Sequence, residues 1–211
     1  MDDLALAVLI SGWGSNLQAL IDACEKSDFP AHIVRVISNR PGVKGLERAA
    51  KSGIATSVID HTAYPNRAAF DAALSAEIDK SQAELVCLAG FMRLLGDDFV
   101  GNLENRLINI HPSLLPAFKG LHVHQRVIQA GVKVSGCTVH FVRPETDAGP
   151  IIAQSAVQVR RDETPDTLAA RVLEAEHECY PAAVRLIAEG RVVVEGDRVL
   201  VDGNSVLTND F

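Results

Sequence analysis

The sequence lacks the features that mark disulfide-rich, zinc-binding and membrane proteins. Its four cysteines are scattered and form no C-x-x-C pair, so we expect neither a disulfide framework nor a metal site built on cysteine. No basic residues precede the first short apolar run, and no apolar stretch reaches the roughly 20 residues that cross a bilayer. The sequence therefore predicts a cytoplasmic protein that makes no use of a membrane.

An excess of positive charge is also missing. The net charge of -7 argues against an extended nucleic-acid surface, although it leaves room for a local pocket that binds one phosphate. No internal repeat, linker or low-complexity segment is evident. With 211 residues, of which 47% are hydrophobic, the chain is large enough for a sizeable core. We expect a single domain over residues 1–211, a monomer or homodimer, with small-molecule partners and no nucleic acid.

What the sequence does contain is a regular alternation of strand and helix patterns. Predicted strands cover 4–10, 31–38, 54–60, 84–89, 107–111, 135–143 and 151–159, with a closing hairpin over 191–201. Predicted helices cover 17–24, 46–52, 66–80 and 165–190, with a short one ending at Gly131. This order predicts an α/β fold: a single Rossmann-like domain whose mostly parallel sheet has helices on both faces and an antiparallel extension.

The N-x-H-P stretch at the end of the fifth strand is the strongest candidate site. Side chains alternate along a strand, so Asn109 and His111 point to the same side. Pro112 disfavours helix at His111 and ends the strand where the imidazole emerges. Ligands of open parallel sheets bind at these strand ends. The alternative is a polar pair that merely satisfies a strand terminus.

The turn over residues 11–16 is a second candidate, because it joins the first strand to a helix. The helix's first N–H groups would face the sheet edge and suit a phosphate. Gly12 and Gly14 let the backbone approach a ligand, and Ser15 or Asn16 can cap the helix. The alternative is an ordinary tight turn, since the stretch is neither G-x-G-x-x-G nor a P-loop.

Three further segments leave alternatives open. Residues 90–95 offer exposed backbone and apolar side chains that suit a flat heteroaromatic ring, or else form a buried connection. Asp147 either caps a turn or pairs with His111, where a carboxylate would orient the ring and favour its charged form. His111, His122 and His124 have the spacing of metal ligands but no accompanying carboxylate or cysteine, so we predict no metal.

Five sequence motifs together resemble the 10-formyltetrahydrofolate-dependent formyltransferases. The motifs cover residues 10–19, 88–93, 109–116, 138–141 and 147–151. They follow the family's order over nearly the whole chain, and the likeness is to the branch that formylates glycinamide ribonucleotide in purine synthesis. The resemblance implies 10-formyltetrahydrofolate as co-substrate, no metal, and the formyltransferase fold.

The resemblance also implies roles for particular residues. The catalytic residues would be Asn109, His111 and Asp147. The residues that hold the ribonucleotide would be Gly14, Ser15, Asn16 and Glu176, of which the first three meet its phosphate. The folate contacts would be Arg67, Met92, Arg93, Leu94, Leu95, Asn109, Arg143, Pro144, Glu145, Thr146 and Asp147. The phosphate site would then lie in the amino-terminal half, and the catalytic and folate site mainly in 88–150. Glu174, Glu176 and Glu178 are expected on exposed turns of the long helix.

Three residues depart from the family pattern. Trp13 stands where a small or polar residue is typical, Ala148 replaces the first glycine of Asp-Gly-Gly-Pro, and Leu173 replaces a polar residue near the ribonucleotide. If position 148 needs a positive φ, alanine is strained there and the loop takes a different course.

Several other functions compete with this interpretation. Formyltetrahydrofolate deformylase and methionyl-tRNA formyltransferase belong to the same family. We expect neither, because the first carries an extra amino-terminal domain and the second a basic carboxy-terminal domain. Outside the family, the alternatives are a non-catalytic nucleotide-binding or sensor domain and a metal hydrolase. The intact motif of Asn109, His111 and Asp147 argues against the sensor.

Overall fold

The computed structural model describes residues 3–203. Over that range, seven strands form one mostly parallel sheet and two further strands form a separate antiparallel pair. The predicted α/β class, with a mostly parallel sheet and an antiparallel extension, is confirmed. The chain divides into two compact units, residues 1–109 and residues 110–211, and the expectation of a single domain stays a prediction.

The first unit is the parallel part of the sheet. Its strands are β1 (Leu4–Ile10), β2 (Ala31–Ser38), β3 (Thr56–Val58), β4 (Leu85–Leu88) and the start of β5 (Leu107–His111). Its helices are α1 (Ser15–Cys24), α2 (Lys44–Lys51), α3 (Arg67–Ser81) and α4 (Asp97–Asn102), with a 3-10 turn at His61–Ala63. The strand order β3-β2-β1-β4-β5 makes β1 central, and its residues from Leu6 onward are fully buried. Its continuous apolar run is typical of such a strand.

The start of α3 shows how local sequence fixes an element here. The Asn66 side chain accepts a hydrogen bond from the Ala69 backbone N–H at 2.9 Å, which caps the helix. Phe70, Leu74 and Ile78 then recur every four residues and are buried. The helix predicted from this pattern is present.

The second unit contains the end of β5 and the remaining elements. These are α5 (Val123–Ala130), β6 (Val134–Phe141), β7 (Ile151–Gln158), α6 (Pro165–Ala188), β8 (Val192–Glu195) and β9 (Arg198–Val201). β6 and β7 pair antiparallel, and α6 packs against both. Thr164 caps α6 with Pro165 at the first helical position, where its missing N–H removes no intrahelical bond.

Two expectations about these elements are wrong. β3 is three residues long, not the predicted seven, because it pairs only with β2 and lies at the sheet's edge. Glu176 does not lie on an exposed turn: it is 7% exposed and shares the buried stripe of α6 with Val172 and Cys179. Residues two apart on a helix point in different directions, so Glu174 and Glu178 remain exposed while Glu176 does not.

α4 was not anticipated by the apolar pattern, since six residues give too short a stretch for a helical period to show. Among residues 3–203, none of the helices combines the length and the apolar character that a bilayer span needs.

Candidate active site

His111 is the last residue of β5 and is only 6% exposed. β5 begins with the fully buried Leu107 and Ile108 and ends before Pro112. Asn109 is half-buried two residues earlier, so strand alternation places its side chain on the same side as that of His111. The strand thus delivers an amide and an imidazole together at its carboxyl end.

Both ring nitrogens of His111 face oxygen atoms. Nδ1 lies 3.3 Å from Oδ1 of Asp147, and Nε2 lies 3.1 Å from the backbone carbonyl oxygen of Phe118. Neutral imidazole has only one N–H, whereas the protonated ring donates from both nitrogens. Two acceptors therefore match the charged ring, and the structure brings His111 and Asp147 together.

Asp147 is held in place from two sides. Its Oδ2 accepts a hydrogen bond from the Gly120 backbone N–H at 2.6 Å, while Oδ1 faces His111. Burial acts to raise the pKa of this carboxyl group, but the hydrogen bonds from His111 and Gly120, together with positive charge on the histidine, hold it below the ordinary value. The carboxylate is consequently charged over the whole neutral range.

The loop around Asp147 shows how the chain accommodates Ala148. Within the described part of this loop, positive φ falls on Asp147 at 47° and on Gly149 at 119°, and not on Ala148. Aspartate tolerates the left-handed region better than most residues. At Gly149 a Cβ atom would collide with the Phe141 carbonyl oxygen, so glycine is needed there. Alanine at 148 therefore causes no φ strain.

A buried hydroxyl fixes the segment that follows His111. Thr138 on β6 donates to the Ser113 carbonyl oxygen at 2.6 Å and accepts from the Leu115 N–H at 3.0 Å. Gln154 on β7 donates to Thr138 Oγ1 at 2.9 Å and to the Leu115 carbonyl oxygen at 3.0 Å. These bonds anchor residues 113–115, directly after Pro112, which limits movement of the imidazole.

His140 is a further histidine near this centre, and the sequence singled it out only as part of a motif. It is buried, and its Nδ1 lies 2.9 Å from the Phe141 carbonyl oxygen. Burial lowers the pKa of His140, with Asp147 opposing and His111 adding to that effect. His140 is thus neutral at neutral pH and lies near the His111–Asp147 pair.

The remaining folate candidates of the second unit line the loop before Asp147. Arg143 is half-buried, while Pro144, Glu145 and Thr146 are exposed. Lys119 forms an ion pair of 2.9 Å with Glu145. This contact and the Gly120–Asp147 bond tie residues 119–120 to residues 145–147.

Glu176 lies on the face of α6 that packs toward β6. The pKa of the Cys137 thiol is raised by a hydrogen bond with Cys179, then by burial, and then by the charges of Cys179 and Glu176. Cys137 belongs to β6, so Glu176 is close to that strand. The assignment of Glu176 to the ribonucleotide is untested by this geometry and stays a prediction.

The turn after β1 is built largely from backbone. Gly14, with φ 73°, is the N-cap of α1 and makes no side-chain cap hydrogen bond. Ser15 and Asn16 are therefore the first helical residues rather than caps, which corrects the prediction. A Cβ at Gly14 would lie 2.8 Å from Gly45 Cα, so glycine lets the turn pass close to α2. No acidic residue occupies the first turn of α1.

A cavity of about 280 Å³ opens beside this turn. Its lining consists of residues 11–16 with Arg40, Ala89, Gly90 and Met92. Arg40 is the one charged side chain in that lining, and sequence reasoning placed it only in a turn. The Ser11 hydroxyl accepts a hydrogen bond from the Met92 N–H at 2.7 Å, which joins the turn to the segment after β4.

Trp13 is a residue of the turn and of the cavity lining, and it is accommodated because it is largely exposed. Its side chain is 68% exposed, and the Arg48 guanidinium carbon lies 5.9 Å from the ring centroid. Arg48 Nε also donates to the Trp13 carbonyl oxygen at 3.0 Å. The turn therefore keeps its course with a bulky residue at this position.

Besides Asn109, the folate candidates of the first unit are Arg67 and residues 92–95. Arg67 is the first residue of α3 and is exposed, as are Met92, Arg93 and Leu94, whereas Leu95 is half-buried. The Gly96 N–H donates to Oδ2 of Asp71 at 2.8 Å, which fixes the end of this segment.

The histidines considered as metal ligands do not gather at one point. His122 is exposed, and burial, with added repulsion from His111, lowers the pKa of His124. Over residues 3–203 there is no group of three or more His, Cys, Asp or Glu side chains arranged to hold a metal ion.

Comparison with known proteins shows where this site belongs. Residues 4–184 match the model of the formyl transferase family. A phosphoribosylglycinamide formyltransferase of Escherichia coli is 43% identical over 94% of this chain and 93% of its own length. A trifunctional purine biosynthetic protein adenosine-3 of Bos taurus is 54% identical over 89% of this chain.

A solved structure agrees with these relatives. The glycinamide ribonucleotide transformylase 1 of Symbiobacterium toebii superposes with a TM-score of 0.92 at 49% identity, over 94% of each chain. The chain spans between 14% and 19% of the length of the animal trifunctional relatives, 18% for the bovine protein. The chain belongs to the formyl transferase family.

Proposed function

We propose that this protein transfers a formyl group from 10-formyltetrahydrofolate to the amino group of glycinamide ribonucleotide. The products are formylglycinamide ribonucleotide and tetrahydrofolate, a step of purine synthesis. The observation that carries the proposal is the 3.3 Å contact between His111 and Asp147, with His111 two residues after Asn109 on β5. The relatives named above act on the same kind of substrate according to their names.

The reaction requires a hydrogen-bond donor that stabilises an oxyanion. The substrate amine attacks the formyl carbon, a C–N bond forms, and the formyl oxygen gains negative charge. The Asn109 amide and the protonated His111 ring supply N–H donors for that oxygen. The bond from carbon to N10 of the folate then breaks, and the proton lost by the amine ends on N10. No covalent enzyme intermediate is needed.

The two ring nitrogens of His111 have different roles. Nδ1 faces Asp147, so the carboxylate orients the ring and stabilises its charge. Nε2, which faces the Phe118 carbonyl oxygen, is the nitrogen left to donate to the substrate. In the reaction, the oxyanion takes the place of that carbonyl oxygen as acceptor.

The cavity and the exposed segments support an assignment for each of the two substrates. Gly14, Ser15 and Asn16 hold the ribonucleotide phosphate, with the N–H groups of α1 as donors and Arg40 as counter-charge. Glu176 meets the glycinamide or ribose end. The apolar Met92 and Leu94, with the backbone beside them, receive the folate ring.

The remaining folate contacts are assigned from the resemblance to the family. Arg67, Arg93, Leu95, Asn109 and residues 143–147 complete the set. Four free cysteines fit a reducing cytoplasm as the compartment. The partners are the two small molecules, with no nucleic acid or membrane, and the protein acts as a monomer or homodimer.

The test is the absorbance change on mixing the protein with 10-formyltetrahydrofolate, with and without glycinamide ribonucleotide. Deformylation that requires the ribonucleotide is the expected result. Deformylation without it would identify a hydrolase instead, and ribonucleotide binding without any reaction would favour a sensor domain.

A further inference from the structure

Asp71 is a buried carboxylate that the proposed chemistry leaves unused. It lies on α3, one helical turn after Arg67, and is 8% exposed. Its Oδ2 accepts the Gly96 N–H at 2.8 Å. Its Oδ1 is also buried, and in the described part of the chain it accepts no hydrogen bond. Because a half-satisfied buried carboxylate is costly, it calls for a reason beyond packing.

The surroundings of Asp71 are basic. Burial raises the pKa of Asp71, while the Gly96 hydrogen bond and the positive charges of Arg67 and Arg93 oppose the increase. Both arginines belong to the set proposed above for folate, and both are exposed. The carboxylate thus interacts electrostatically with two exposed cations.

Gly96 allows the backbone to approach Asp71 closely. A Cβ atom at this position would lie 2.8 Å from Asp71 Oδ2 and 3.7 Å from Arg67 Nε. Gly96 directly follows residues 92–95 and is the N-cap of α4. The contact therefore fixes the end of the exposed folate segment against α3.

We propose that Asp71 is a positioning residue for formyl-folate. Through the Gly96 N–H it holds residues 92–95 in the conformation that receives the folate ring, and through its charge it orients Arg67 and Arg93 toward the carboxylates of the folate glutamate tail. This inference rests on the proposed function, because it assigns folate to that segment.

The test compares Asp71→Asn with the wild-type protein and with Asp79→Asn, a matched change at an exposed aspartate of the same helix. Asparagine keeps the shape, removes the charge and leaves a weaker acceptor for the Gly96 N–H. We expect the KM for 10-formyltetrahydrofolate to rise about 10-fold, with the KM for glycinamide ribonucleotide and kcat changed less than about 2-fold. Asp79→Asn should leave all three constants unchanged.

Gly96→Ala breaks the same contact from its other side. It should raise the same KM, and the double variant should be no worse than the poorer single variant, because both changes weaken the one contact between Asp71 and Gly96. A parallel rise of both KM values, no rise in either, or loss of folded protein in both variants by thermal melting would overturn the positioning role.

Binding of tetrahydrofolate, measured by calorimetry, separates this inference from the proposed function. Wild-type protein that fails to transfer the formyl group contradicts the function alone. Weaker tetrahydrofolate binding by Asp71→Asn than by wild type still supports the role of Asp71, and equal binding contradicts it.

Discussion

The turn after β1 uses mainly backbone groups, whereas the centre around His111 uses mainly side chains. The turn presents backbone N–H groups at the start of α1, and its essential residue is a glycine whose Cβ would meet Gly45. The centre is built from side chains, with the buried His111 held by Asp147 and by the Phe118 carbonyl oxygen.

This difference predicts unequal sensitivity to mutation. A backbone donor stays in place when a neighbouring side chain changes, so the turn tolerates Trp13, whose ring points outward. A side-chain donor is lost with its residue, and its removal also leaves buried partners unsatisfied. Substitutions should therefore have large effects on turnover at the centre and smaller effects on binding at the turn.

The largest effect is expected for His111→Ala. Loss of the charged donor should lower kcat about 100-fold or more, with little change in the KM for glycinamide ribonucleotide, because the missing interaction belongs to the transition state. Steady-state kinetics with both substrates measure this. His32→Ala, at an exposed histidine of β2, serves as the control, and near-normal turnover of His111→Ala would remove the role assigned to this residue.

Asp147→Asn should have the next largest effect. The amide can fill the same space but does not stabilise the charged ring, so we expect kcat to fall about 30-fold. Substrate binding at the phosphate end should persist, measured as an unchanged KM for the ribonucleotide. If both constants kept their wild-type values, the 3.3 Å contact would have no catalytic meaning.

The same variant tests the electrostatics through stability. The pKa of Asp147 lies below its ordinary value of 3.8, because the hydrogen bonds from His111 and Gly120 outweigh burial. A lowered folded-state pKa stabilises the fold above the unfolded-state value, and this stabilisation is lost as the pH falls through the folded-state value. Asp147→Asn should lower the free energy of unfolding by about 1–3 kcal/mol at pH 7. Denaturant titrations should show the difference shrinking below pH ~4; a constant difference would contradict the charge argument.

More of the centre around His111 than of the turn after β1 could be predicted from the sequence. Strand alternation and Pro112 predict that Asn109 and His111 emerge together, and β1, β2 and β5 have the predicted bounds. The acceptor opposite His111 Nε2 was not predictable, because it is the backbone carbonyl oxygen of Phe118 and carries no side-chain signal. Backbone partners depend on how the loop folds, which local patterns do not specify.

Arg40 was missed for a similar reason. It lines the cavity because β2 pairs with β1 in a register that sets Ser38 opposite Ile10, the residue before the turn. Two residues beyond Ile10 and Ser38, both segments have left the sheet at the same edge. That placement depends on strand order and register, which are tertiary properties. Glu176 is the opposite case. Its charge and its place on a helix led to the prediction that it is exposed, and the structure buries it.

Arg40→Gln tests whether the turn has a charged component. Loss of the one cation in the cavity lining should raise the KM for glycinamide ribonucleotide about 10-fold and leave kcat near the wild-type value. Arg161→Gln, at an exposed arginine outside the cavity, is the control. The effect should weaken with added salt. A KM that does not change would mean that backbone donors alone hold the phosphate.

The smallest effect is expected for Trp13→Ser, which restores the small polar residue typical of the family. The indole is exposed and contacts Arg48 at 5.9 Å, and its own carbonyl bond to Arg48 survives the change. A cation–π contact at the surface is worth about 0.5–1 kcal/mol. The melting temperature should thus fall only slightly, and the KM for the ribonucleotide should change less than about 3-fold, since the N–H groups of α1 do not depend on this side chain. A larger change in that KM would show that the indole itself contacts the substrate, and the turn would then share the side-chain dependence of the His111 centre.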